Sequence, residues 1–324
     1  MSPQTSTSPP ATTFTVGGLP IQVYGLESLS PTSIAKPIAV LFLLHGRFGA
    51  ASDKLISTFA STLLSPPVGP TVPKTQSDLL VVTFDQRNHG HRTVEREKNF
   101  GWKEGGKKRA KEREEQGMKE DELDNASHAV DMMAIQTGTA KDVSFLIDFL
   151  PSVLFPNDER EIVDWYCSGI SLGGHATWLA LAYEPRISLG IPIIGAPSTL
   201  TLLSDRALNL PAPSGPLTVS PPYFPKTFID LLKKHDPDQA PMSVWKGRKI
   251  CVLSGEDDTL VNFVKGGSEK FVERLEKEGE LQELQVSVQP KTGHACTPEM
   301  MERAQRFVWK ALCNQDSANQ GAKM

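Results

Sequence analysis

Six short runs rich in Val, Ile and Leu recur along this chain, at Ile38–Leu44, Leu79–Phe84, Val163–Ser168, Leu189–Ile194, Ile250–Leu253 and Leu284–Val288. Most are separated by stretches with helical periodicity, at 51–64, 126–150, 172–184, 266–279 and 297–312. Strands that are aliphatic on both faces need cover on both faces, and helices interleaved with them in sequence supply it. The pattern predicts an α/β fold with a mostly parallel central sheet and helices on either side. A hairpin of Thr13–Val16 and Ile21–Tyr24, turning on Gly17-Gly18, raises the expected strand number to about eight.

Two segments break the rhythm. Residues 92–124 are dense in charges of both signs, as in Lys107-Lys-Arg-Ala-Lys-Glu-Arg-Glu-Glu115. Alternating charges of this kind mark a solvated, salt-laced helix; the position after a strand end leaves a mobile flap as the alternative. Residues 198–246 carry prolines at 211, 213, 216, 221, 222, 225, 237 and 241, so they form no single helix. A small cap over the sheet edge fits that composition. Residues 1–12, mostly Ser, Thr and Pro, are expected to be a disordered tail, and 13–324 a single domain.

Bulk properties narrow the function. A net charge of −4 over 324 residues gives no footprint for nucleic acid or anionic membrane. The longest apolar run, Ile38–Leu44, is far too short to span a bilayer. The first dozen residues lack Lys, Arg and an apolar core, so no export or transit signal is read and a cytoplasmic location is expected. Four cysteines without paired metal spacing read as free thiols in a reducing compartment. Nothing in the chain fixes an oligomeric state.

Chemistry enters at Val163-Asp-Trp-Tyr-Cys-Ser-Gly-Ile-Ser-Leu-Gly-Gly-His175. A strand runs through Gly169-x-Ser171-x-Gly173 straight into a helix, which places one serine hydroxyl on a tight exposed turn. Leu172 opens that helix, so its N–H has no intrahelical acceptor and faces the serine's side. The strand Val40–Leu44 ends in His45-Gly46-Arg47-Phe48-Gly49, whose glycines let the N–H of Arg47 turn toward the same point. Two such donors suit the oxyanion of a tetrahedral intermediate.

An acid and a base complete the set. The strand at Cys251 ends in Ser254-Gly255-Glu-Asp-Asp258-Thr-Leu-Val261, and Asp258 is the expected acid, with Asp257 the alternative. His294 follows the last strand in a loop bent by Gly293. It alone of seven histidines completes the order Ser, Asp, His, each residue after a strand end. His45 belongs to the donor motif, and His175 lies on the helix of the serine itself.

These motifs resemble the α/β-hydrolase superfamily, and within it the single-domain esterases and dienelactone-hydrolase-like proteins, over nearly everything from residue 13 onward. The resemblance implies Ser171 as nucleophile, Asp258 as acid, His294 as base, and the N–H groups of Arg47 and Leu172 as the oxyanion hole. It implies hydrolysis of a small ester-like substrate without metal or organic cofactor. A thioester, a lactone or a peptide substrate, or a ligand-binding protein without catalysis, is the alternative. Phe48, Met132 and Trp178 are candidate walls of a substrate pocket. Arg47 departs from the relatives, where an apolar residue or glycine is common.

Overall fold

A computed structural model describes residues 10–31, 35–71 and 73–313. Eight strands form one sheet: β1 (Ala11–Val16), β2 (Leu19–Tyr24), β3 (Ile38–Leu44), β4 (Asp78–Phe84), β5 (Ile162–Ile170), β6 (Ile187–Ile193), β7 (Lys249–Gly255) and β8 (Glu283–Gln289). Their order across the sheet is β1-β2-β4-β3-β5-β6-β7-β8. The β1–β2 hairpin pairs antiparallel and β2 meets β4 antiparallel, while every junction from β4 through β8 is parallel.

The aliphatic runs are central for a physical reason. Every residue of β3 is buried, because the strand lies between two others and is covered on both faces. On one face α1 (Lys54–Leu64) and α8 (Pro298–Cys313) bury Ile56, Phe59, Phe307 and Val308 against Leu41 and Leu43. The other face carries α3 (His128–Leu154), α4 (Leu172–Tyr183) and α7 (Ser268–Glu278). Three further helices, α2 (Lys107–Glu115), α5 (Thr199–Leu208) and α6 (Lys226–His235), lie in the two interrupting segments. At roughly 25 cal/mol per Å² of apolar surface removed from water, this two-sided burial is the dominant stabilising contribution.

Strand and helix positions agree with the sequence expectation to within a few residues, but two expectations change. β1 begins at Ala11, two residues inside the expected tail, because Ala11 and Thr12 pair with Tyr24 and Val23. Residues 1–9 lie outside the described residues. The charged segment 92–124 is only partly a solvated helix. α2 is short, and Arg109 within it is buried, ion-paired to the fully buried carboxylate of Asp124. The proline-rich segment 198–246, expected to form no single helix, holds the short helices α5 and α6.

Candidate active site

The parallel strands β3, β5 and β7 all end on the same side of the sheet, so the loops that follow them meet there. β5 passes directly into α4 through Ser171, which adopts φ 54° and ψ −108°. This is a costly conformation for a residue with a Cβ, on the order of 1–3 kcal/mol. The turn is held by the Ser171 N–H donating to Ile193 O at 2.9 Å and the Gly173 N–H donating to His45 O at 3.2 Å. Glycine is required on both sides. A Cβ on Gly169 would overlap the Gly173 backbone, and one on Gly173 would lie 2.5 Å from Leu44 O.

The acid and base loops are zipped together by backbone. The Glu256 N–H donates to Gln289 O at 3.0 Å and the Asp257 N–H to Thr292 O at 2.9 Å. Asp258 is fully buried while Asp257 is exposed, which leaves Asp258 to meet the imidazole. One carboxylate oxygen of Asp258 accepts from Leu260 N–H at 2.9 Å and Val261 N–H at 2.8 Å. The other lies 2.7 Å from His294 Nδ1. His294 Nε2 lies 2.8 Å from Ser171 Oγ. With its proton on Nδ1, His294 donates to Asp258 and accepts from the serine hydroxyl. Burial opposes ionisation of Asp258, yet the hydrogen bonds from His294, Val261 and Leu260 keep its carboxyl below the usual range.

The loop after β3 is pinned by His45 together with Gln86, which the sequence pattern left unassigned. His45 Nδ1–H donates to Gly46 O at 2.8 Å, and its Nε2 accepts the Gln86 N–H at 3.0 Å. The Gln86 side chain donates to His45 O. Burial lowers the pKa of His45, which keeps the ring neutral and able to accept. The loop thereby comes to rest against the serine: a Cβ on Gly46 would lie 3.8 Å from that of Ser171. Phe48 follows at φ 64°, and Leu172 is the first residue of α4, with no intrahelical acceptor for its N–H.

The Arg47 guanidinium is committed to protein partners. It ion-pairs with Glu104 at 2.8 Å, donates to Asn99 O at 3.0 Å and lies 4.7 Å over the Phe48 ring. Glu104 also accepts from Gly101 N–H, and its own N–H donates to Asp124. Asp124 is gripped in turn by Arg109 and Arg113. The segment 92–124 is thus fastened onto the loop of Arg47. No sequence signal tied Glu104 to Arg47, since 57 residues separate them.

The candidate pocket residues separate. Trp178 is fully buried, packed edge-on against Trp245 and Phe271, with Nε1–H donating to Gly195 O; it presents no surface to a substrate. Met132 is likewise part of the packed core. Phe48 is half exposed beside the loop of Arg47 and tilts against Phe100. Cys296, two residues past His294, is partly buried, and burial pushes its thiol up to about 12.

The strand order, with a serine on the turn between β5 and α4 at the centre of the sheet, decides the fold, and solved structures of the same architecture agree. The chain has the α/β-hydrolase fold. TT1662 from Thermus thermophilus is similar at 19% identity and a TM-score of 0.58, covering 94% of this chain and 99% of that one. Est1E from Butyrivibrio proteoclasticus, solved with ferulic acid bound, is similar at 14% identity and a TM-score of 0.51, covering 93% and 97%. An acylaminoacyl peptidase from Pyrococcus horikoshii reaches a TM-score of 0.56 at 12% identity, covering 94% of this chain and 42% of that one. No family model and no curated protein matches the chain. Within this α/β-hydrolase fold, no described helix is long and apolar enough to cross a membrane.

Proposed function

We propose that this protein is a serine hydrolase that cleaves a small carboxylic ester through an acyl-enzyme. The observation that carries the reading is the unbroken contact chain from Ser171 Oγ through His294 to Asp258, at 2.8 and 2.7 Å. Fold alone fixes no activity, so the weight rests on those side chains.

In the proposed reaction the Ser171 oxygen attacks the ester carbonyl as His294 Nε2 takes its proton. Asp258 holds the imidazole in the required tautomer and stabilises the imidazolium that forms. The N–H groups of Arg47 and Leu172 receive the oxyanion, each contributing about 2.7–4 kcal/mol to the transition state by analogy with measured donors. His294 then returns the proton to the departing alcohol. Water, deprotonated by the same ring, releases the acid and restores the serine. No step calls for a cofactor.

Labelling with a fluorophosphonate probe tests the nucleophile, and turnover of nitrophenyl esters, a thioester and a lactone tests the substrate. The expected result is labelling and ester turnover in the wild type and neither in Ser171→Ala. Equal labelling of both proteins, or none in the wild type, overturns the reading.

A further inference from the structure

Arg206 differs from every other arginine around this site. It lies in the last turn of α5, and its side chain reaches onto the acid loop. There Nε donates to Leu260 O at 2.9 Å and one terminal nitrogen donates to the same oxygen. Leu260 is in turn bonded through its N–H to Asp258, so the guanidinium is anchored one residue contact from the triad. Its other terminal nitrogen has no partner among the described residues.

The carboxylates whose charge Arg206 feels each have a partner other than Arg206. Arg206 feels the charges of Asp258, Glu104 and Asp205. Asp258 is occupied by His294 and two backbone N–H groups, Glu104 by Arg47 and Gly101 N–H, and Asp205 accepts from the Asn209 amide. No described carboxylate pairs with Arg206. Burial is the main cause that lowers its pKa to about 10, with repulsion from Arg47 second and the three carboxylates opposing the shift. The two buried histidines that also feel Arg206, His128 and His175, are held neutral by burial and add no negative charge. Held by one backbone oxygen and by no carboxylate contact, the partly solvent-exposed guanidinium keeps donors that an arriving anion can engage. Arginine presents paired N–H donors to a carboxylate, and this one keeps such donors uncommitted.

We propose that Arg206 binds a carboxylate carried by the substrate, which makes esters bearing a second, anionic group the preferred class. The inference rests on the serine-hydrolase reading above and names the substrate of that same site.

The test compares matched ester pairs in wild type, Arg206→Gln and Arg206→Lys. One pair carries the charge on the acyl side, para-nitrophenyl hydrogen glutarate against para-nitrophenyl valerate. The other carries it on the leaving side, para-carboxyphenyl acetate against its methyl ester. In at least one pair, the charged-to-neutral ratio of kcat/KM is expected to fall by about tenfold or more in Arg206→Gln, through KM. Arg206→Lys should recover part of that ratio, and the responding pair tells which side of the ester carries the anion. Equal losses for both members of both pairs would mean that Arg206 merely braces the acid loop, and would overturn the proposal.

If Arg206→Gln does not fold, the wild type still decides. Raising sodium chloride to about 0.5 M should raise KM for the charged member alone; an identical response in both members overturns the idea. Calorimetry with glutarate on Ser171→Ala, with and without Arg206→Gln, needs no turnover. Binding that vanishes with Arg206→Gln supports the anion site even where labelling has sunk the hydrolase reading. Undiminished or absent binding rejects it.

Discussion

At the scale of single residues, the site depends on side chains that are missing as much as on those present. Gly173 lets the first turn of α4 approach the end of β3: an added methyl would lie 2.5 Å from Leu44 O and 2.8 Å from His45 O. Both neighbours are backbone and cannot rotate away. Gly173→Ala is therefore expected to cost about 1–3 kcal/mol in urea unfolding. It should also lower ester turnover beyond what the lost stability explains, because the serine and the Arg47 loop are pushed apart. Unchanged turnover in a fully folded Gly173→Ala would refute this account of the turn. The meeting of Ser171, Asp258 and His294 was legible in the sequence because each follows a strand, and parallel strands deliver such loops to one rim. Trp178 was misread because α4 is buried along nearly its whole length, so no polar face shows which side meets the substrate. Arg206 gave no signal, since its partner is a backbone oxygen 54 residues away.

At the scale of elements, α5 depends on a carboxyl in an unusual state. Asp236 is buried at the start of this helix, where it accepts the Leu200 N–H at 2.8 Å; its other oxygen has no partner among the described residues. Burial raises its pKa from 3.8 to about 7. The folded chain thus holds this proton over a range in which the unfolded chain has lost it. Stability contributed by the group is present in acid and declines as pH rises from about 4 to about 7, by up to about 1.4 kcal/mol per pH unit. Asp236→Asn keeps an acceptor for Leu200 and removes the titration. Its thermal midpoint should gain on that of the wild type across this window; a constant offset would show that the carboxyl is ordinary. The element pattern was legible wherever burial sets a period, as in β3 or α8. It was misleading in 92–124, where alternating charge looks solvated although Arg109 and Asp124 pair inside.

At the scale of the whole molecule, acid tolerance is set by histidines. His45, His89, His128 and His175 are all buried, and burial lowers the pKa of each, with His89 and His175 near 4. Here the unfolded chain binds protons that the folded one refuses, so stability is lost as pH falls from about 6.5 to about 4. Four such groups outweigh the opposite slopes of Asp236 and Asp238, whose carboxyls burial raises, and the midpoint of thermal unfolding should drop between pH 7 and pH 5. A midpoint that rises on acidification would contradict the neutral assignment of these rings. The overall architecture was readable because two-sided burial writes itself as aliphatic runs. The fastening of 92–124 was not, because ion pairs between distant segments leave no periodicity.

That fastening has a practical consequence. Glu104 reaches Arg47 from an insert whose own shape is braced by Asp124, Arg109 and Arg113. Trimming the insert to make the surface less charged would take away the wall on which the loop of Arg47 leans, and the damage would be felt at the serine.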